Sequence, residues 1–207
     1  MPKFRGKFRG KISRRLGLAL YPKYSKVISR RPYPPGQKKK RRPSAPSEYG
    51  KQVREKQKLR NLYNLREKQF RNYVKKILSK KRRTINADQS LIQTLELRLD
   101  NTVFRLGFAA TREQARQMVS HGHFLVNGRK VTIPSNQLKK GDEVSLRPQS
   151  KNKVLFKEMG VKIKNFQPVS WIELDKTNLT GKIAKEPSLE EVMPPVEMSA
   201  IFEFYSR

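Results

Sequence analysis

Apolar residues recur at helical spacing in four stretches of this chain, and the period then changes to that of short strands. Phe70, Tyr73, Val74 and Ile77 follow i, i+3, i+4, i+7, which predicts a helix from Leu65 to about Leu78. Val53, Leu59, Leu62 and Tyr63 predict a preceding helix, capped by Ser47, with Gly50 weakening its first turn. Asn64 and Glu67 fit a capping box, so the break between the two helices is expected there. Leu91, Leu95, Leu99, Val103 and Leu106 form a stripe that predicts one helix over 91–106, closed by Gly107. Thr111 and Gln114 give a second capping box. It opens a short helix over Arg112–Ser120, whose buried face is Ala115, Met118 and Val119 and which Gly122 stops.

The period then changes. Phe124-Leu125-Val126 reads as a strand, and Asn127-Gly128 is a strong hairpin signal because both turn positions need positive φ. Arg129 to Ile133 returns as a partner strand, and Pro134 ends it. A second turn over Lys140-Gly141-Asp142-Glu143 leads to a strand with Val144 and Leu146. The expected fold class is α+β: a basic extended arm, a helical domain, and a small module of two helices packed on a short antiparallel sheet. Boundaries are expected at 1–46 for the arm, 47–97 for the helical domain, 98–160 for the module, and 161–197 for an irregular or strand extension. In that extension Phe166, Val169, Trp171, Ile172 and Leu174 are strand candidates. Residues 198–207, with Ile201, Phe202, Phe204 and Tyr205, are expected to dock on the helical domain, because such a cluster is rarely left in water.

Residues 1–46 predict no packed element. Gly6, Gly10 and Gly17 interrupt the early part, and five prolines from Pro32 to Pro46 break the later part. Interleaved Phe4, Phe8, Tyr21, Tyr24 and Tyr33 suit stacking on unpaired bases beside cations on phosphates. A basic tail that orders only on its partner has the same composition. The run Lys38 to Arg42 also reads as a nuclear import signal, although any RNA-binding arm produces such runs.

Charge narrows the function. The chain carries 48 Lys/Arg against 17 Asp/Glu, a formal net charge of +31. Residues 1–90 hold 30 of the cations and only 4 of the acids. Self-repulsion on this scale opposes compaction, so a polyanion is the expected partner, and nucleic acid gains further from counterion release. There is no cysteine, which excludes disulfides and thiolate metal sites. Two histidines without clustered acids leave no candidate metal site, and no cofactor is expected. No apolar run reaches membrane-spanning length, and no signal-peptide core follows the basic start, so no membrane and no small-molecule substrate is expected. No nucleophile–base pair or phosphate-cradling glycine loop points to an enzyme.

The candidate RNA-binding residues follow from this charge. In the arm they are Arg5, Lys7, Arg9, Lys11, Arg14, Arg15, Lys38, Lys39, Lys40, Arg41 and Arg42. In the helical domain they are Lys56, Arg60, Lys68 and Arg71. In the module, Arg112 and Arg116 lie four apart on one helical face, and His121, His123, Asn127, Arg129 and Lys130 follow. Both arginines are expected at the surface, so alanine at both positions should cost little stability. His121 reads equally well as a helix cap, and Asn127 as a turn former.

These residues carry a resemblance. Arg98-Leu99-Asp100-Asn101, Phe104-Arg105-Leu106-Gly107-Phe108-Ala109, Thr111-Arg112, His121-Gly122-His123 and Val126-Asn127-Gly128 occur in that order. The order is similar to the RNA-binding module named after the fourth protein of the small ribosomal subunit. The flanks, including Tyr33-Pro34-Pro35-Gly36-Gln37, Glu67-Lys68-Gln69-Phe70-Arg71 and the terminal Glu203-Phe204-Tyr205-Ser206-Arg207, resemble that ribosomal protein itself. The resemblance implies direct binding to small-subunit (16S-type) rRNA, nucleation of subunit-body assembly and an influence on decoding accuracy. It also implies contact with the fifth small-subunit protein and with mRNA at the entry side, on ribosomes of a bacterial cytoplasm or plastid stroma. Many bacterial members carry an N-terminal cysteine zinc site, so this chain resembles the zinc-independent form. A stand-alone RNA chaperone or ribosome-rescue factor with the same module is the competing reading.

Overall fold

In the computed structural model, the described residues are 9–20, 24–36, 45–80, 86–151, 153, 156, 163 and 166–206. The chain divides into two compact units, Met1–Leu78 with Pro194–Arg207, and Ser79–Met193.

The first unit is helical. Its elements are α1 (Arg9–Leu16), α2 (Ser25–Arg30), α3 (Glu48–Leu62), most of α4 (Glu67–Lys80), and α10 (Met198–Ser206). The two short helices correct the expectation of an irregular arm. Gly10 sits inside α1, where its missing Cβ admits the Tyr24 ring, and Leu16 and Leu20 are buried. Ser47 caps α3 as expected, its side chain accepting from the Gly50 N–H. Asn64 does not cap the next helix. It adopts φ 52°, Leu65 N–H donates to Arg60 O, and Asn64 N–H donates to Asn61 O. This pair of bonds closes α3 with a left-handed C-terminal turn. The expected break is therefore present, but its mechanism is a stop, and α4 starts at Glu67 instead of Leu65. The stripe of α4 is buried as its spacing predicts, with Phe70 and Val74 fully enclosed. On α10, Met198, Ala200, Ile201 and Phe202 are buried against this unit, where the helix packs on α3.

The second unit contains α5 (Ala87–Glu96), α6 (Leu99–Arg105), α7 (Arg112–Ser120), β1 (Phe124–Val126), β2 (Arg129–Lys130) and β3 (Glu143–Leu146). It continues with α8 (Pro148–Lys151), β4 (Ile172–Asp175), β5 (Thr180–Ile183) and α9 (Leu189–Val192). The expected single helix over 91–106 is two helices. Arg98 is extended between them and pairs with Gln137 in an isolated antiparallel bridge. Leu138 N–H donates to Leu97 O, Leu99 N–H to Asn136 O, and Asp100 N–H to Pro134 O. Backbone groups that would extend α5 are thus satisfied by a segment some forty residues away.

The sheet has five antiparallel strands in the order β2-β1-β3-β5-β4. The return strand is shorter than its apolar run predicts, two residues instead of five. Two further strands come from the 161–197 stretch. Phe124, Val126, Val144, Leu146 and Ile183 face α6 and α7 across the core, with Trp171 buried beside them. Gly181 permits the closest approach: a Cβ there would lie 2.1 Å from Cδ2 of Leu106, the residue that follows α6. The architecture is α+β.

Candidate nucleic-acid interface

The α7 helix begins where Thr111 accepts from the Gln114 N–H, and its length is as expected. Gln114 Oε1 reaches back to the Ala110 N–H, one residue before the cap. The two arginines on this helix are not free surface groups. Arg116 Nε and Nη2 donate to Asp100 Oδ2 at 2.9 and 2.7 Å, and Arg98 holds both oxygens of the same carboxylate. Asp100 is 3% exposed and Arg98 2%. Arg112 Nε donates to Asn101 Oδ1 at 2.8 Å, and its guanidinium lies 4.5 Å over the Phe104 ring. Asn101 in turn donates to Glu96 Oε2, a fully buried carboxylate that also accepts two bonds from Arg105. The expectation that Arg112 and Arg116 sit at the surface is corrected. They close an ionic network that joins α5, α6 and α7, and such a network is costly to break one partner at a time.

His123 is likewise internal. It is 9% exposed, its Nδ1 lies 2.9 Å from Ser150 Oγ, and its ring packs edge-on against Phe156. Burial, followed by the nearby Lys153, His121 and Arg147, holds its pKa below the ordinary value, so the ring is neutral at pH 7. His121 is exposed and occupies the C-cap position of α7.

Asn127 acts as a pin between two turns. Its Nδ2 donates to Asp142 Oδ1 and its Oδ1 accepts from the Glu143 N–H, each at 2.9 Å. Asp142 Oδ2 also accepts from the Lys139 N–H at 2.7 Å. Both amide ends of Asn127 are therefore used inside the protein. They hold the Asn127-Gly128 turn beside the 139–142 turn, and Arg129, Lys130, Lys139 and Lys140 are all exposed. Lys139 and Lys140 are missing from the sequence-based site, although they flank the turn that the sequence marks.

In the helical unit the expected cations separate into two groups. Lys56 is buried: its Nζ donates to Glu67 Oε1 at 2.7 Å and lies 4.2 Å over the Phe204 ring. Tyr205 Oη donates to the same oxygen at 2.8 Å, and Gln52 Nε2 donates to Glu203 Oε2 at 2.9 Å. Burial pushes the Glu67 carboxyl up, but hydrogen bonds from Lys56 and Tyr205 outweigh it and hold the group below its ordinary value. Burial and the bond to Glu67 push the Tyr205 phenol up. Arg60 is half-buried, 3.6 Å from Glu67 Oε2. Lys56 and Arg60 thus serve the packing of α3, α4 and α10. Lys68 and Arg71 are exposed on α4.

In the arm, Lys11 and Arg15 are exposed and Arg9 is half-buried. Arg14 also has a structural role. It donates to the carbonyls of Arg31, Tyr33 and Pro34 and lies 4.9 Å over the Tyr33 ring, so it folds the 31–34 turn onto α1. Arg5, Lys7 and Lys38 to Arg42 lie outside the described residues.

Residues 1–78 contain 26 Lys/Arg and three acids. Each acid is held by a lysine: Glu48 by Lys51, Glu55 by Lys58 and Glu67 by Lys56. Among the described residues no group of three metal-binding side chains occurs, and no helix is long and apolar enough to cross a membrane. A helical unit with a large excess of positive charge and a second unit of helices packed on a small sheet define a polyanion-binding protein of the RNA-module class.

Residues 97–144 match the family model described as the S4 domain, and residues 6–96 match that of the ribosomal protein S4/S9 N-terminal domain. The chain is 46% identical to the small ribosomal subunit protein uS4 of Chlorobium phaeovibrioides over 207 residues, covering all of both chains. It is 44% identical over the same span to uS4 of Chlorobaculum tepidum. To uS4 of Thermotoga petrophila it is 46% identical over 204 residues, covering 95% of this chain and 96% of the relative. The chain belongs to the uS4 family of small ribosomal subunit proteins.

Proposed function

We propose that this chain is a structural constituent of the small ribosomal subunit that binds small-subunit rRNA directly, without catalysis. The observation that supports this most is the disposition of charge. Residues 1–78 carry 26 Lys/Arg against three acids, and each of those acids is already held by a lysine. An rRNA backbone supplies the missing counter-charge.

In this reading the helical unit makes salt-sensitive phosphate contacts through Lys11, Arg15, Lys68 and Arg71, with Arg5, Lys7 and Lys38 to Arg42 as further contributors. The second unit adds exposed Arg129, Lys130 and His121 on a rigid frame. Arg112, Arg116, His123 and Asn127 hold the shape that RNA meets, because phosphate contacts position without reading sequence. Nucleation of subunit-body assembly, an effect on decoding accuracy, contact with the fifth small-subunit protein and contact with mRNA belong to the same proposal and rest on the resemblance alone. The test is fractionation of ribosomes on sucrose gradients at high salt. A core constituent stays with the small subunit through the wash; a chain released into the light fractions would mark a transient ribosome-associated factor instead.

A further inference from the structure

Asn127-Gly128 is a chemically reactive pair as well as a turn. Of the ten asparagines in the chain, Asn127 alone precedes a glycine. In such a pair the glycine backbone nitrogen, its proton lost to solvent, attacks the asparagine Cγ. A bond forms between that nitrogen and Cγ, the bond from Cγ to Nδ2 breaks, and Nδ2 takes up a proton and leaves as ammonia. Water then opens the cyclic imide at one of its two carbonyls, leaving aspartate or isoaspartate. Glycine admits this attack readily because it has no Cβ to crowd the nitrogen. Both residues of the pair are exposed, and nothing lies within 4 Å of where a Gly128 Cβ would sit. Sequence and solvent access both favour the reaction, the chemistry behind the heat lability of asparagine.

The folded chain opposes it. Attack requires a geometry with the reacting atoms about 3–3.5 Å apart and aligned. The Asn127 amide is committed elsewhere: Nδ2 donates to Asp142 Oδ1, and Oδ1 accepts from the Glu143 N–H, each at 2.9 Å. The amide cannot exchange its ends, because a carboxylate only accepts and an N–H only donates. The acceptor is fixed in turn. Asp142 Oδ2 holds the Lys139 N–H at 2.7 Å, and the Asp142 carbonyl accepts from the Ile183 N–H of β5. The hairpin adds its own resistance. The new ring would include the Asn127 Cα and carbonyl carbon, and Val126 pairs with Arg129 on either side of the turn.

We propose that Asn127 is a site of spontaneous deamidation, and that Asp142 with the Glu143 N–H guards it in the folded chain. The product removes the guard. A carboxylate at position 127 has no proton to give to Asp142, so two like charges meet where a hydrogen bond stood. Isoaspartate also adds a carbon to the backbone of a two-residue turn. The inference is independent of the RNA-binding reading, and its test uses no RNA.

The full chain is incubated in mildly alkaline buffer, native and in urea, together with native Asp142→Ala and Asp142→Asn. Aspartate and isoaspartate at position 127 are followed over time by peptide mapping with mass spectrometry. Circular dichroism under the same conditions establishes which variant is folded, and the folded one is scored. The native chain should react at least about tenfold more slowly than the chain in urea, with the two hydrogen bonds and the hairpin acting together. Asp142→Ala should react roughly fivefold faster than the native wild type, the effect of one ordinary hydrogen bond. Asp142→Asn keeps the size and one accepting oxygen, so about threefold is expected, the margin between a charged and a neutral acceptor. A native chain that deamidates as fast as the chain in urea would overturn the proposal. So would a folded variant that stays as slow as the wild type, since the hairpin alone would then account for the protection.

Discussion

Truncation before Met198, which removes α10, is expected to unfold the helical unit. The helix contributes buried Met198, Ile201 and Phe202, and it sets Phe204 and Tyr205 against Lys56, Tyr49 and Phe70. At about 1.5–3 kcal/mol for each of these three large apolar side chains, the lost burial is on the order of 5–9 kcal/mol. That is comparable to the whole stability of a small domain, about 5–15 kcal/mol. Polar losses act in the same direction. Lys56 would lose its aromatic cover, Glu67 the phenol of Tyr205, and Gln52 its bond to Glu203. The measurement is far-UV circular dichroism with limited proteolysis. Cleavage should move into α3 and α4 in the truncated chain while the sheet-containing unit stays resistant. Unchanged protection of α3 would show that the packing of α10 is dispensable.

Asp100→Ala is expected to destabilise the sheet-containing unit by about 3–5 kcal/mol, the usual result of leaving a buried charge without its partner. Arg98 and Asp100 are both nearly inaccessible, and Arg116 binds the same carboxylate from α7. Arg116→Ala should cost less, because Arg98 then keeps Asp100 and the pair stays neutral. The double variant should be less destabilised than the sum of the two single ones, since both remove the contact between α6 and α7. Denaturant unfolding monitored at Trp171, which is buried in this unit, reads all three. A loss under about 1 kcal/mol for Asp100→Ala would put the network in the class of weak surface pairs.

These two cases show where sequence reading reaches and where it stops. The Asn127-Gly128 turn, the Thr111 cap and the α4 stripe were legible because each is decided within a few residues. Asn127 and Gly128 adopt φ 48° and 76°, as that dipeptide favours. The break at Arg98 was not legible, because the apolar stripe runs on through it and the deciding hydrogen bonds come from 134–138. Charge misled in the same way. Lys56, Arg112 and Arg116 read as surface cations because their acids, Glu67, Asp100 and, through Asn101, Glu96, lie on other elements. The helices of the arm were hidden by Gly10, which reads as a breaker until the Tyr24 ring is seen against it. Strands β4 and β5 were only partly legible, since Gly181 interrupts the apolar alternation where Leu106 packs closest.

One geometric theme connects the two units. In each, an acid of one element binds a cation of another: Glu67 of α4 holds Lys56 of α3, and Asp100 of α6 holds Arg116 of α7. These pairs set the shape, and in the proposed reading the exposed cations meet the RNA.

The most direct measurement is the affinity of the purified chain for a small-subunit rRNA transcript over a range of salt concentrations. The account expects log affinity to fall steeply with log salt, with a slope of magnitude above about five, as for many simultaneous phosphate contacts. It also expects tighter binding to this transcript than to a large-subunit fragment of equal length at every salt concentration. A slope near zero, or equal affinity for the two RNAs, would contradict it.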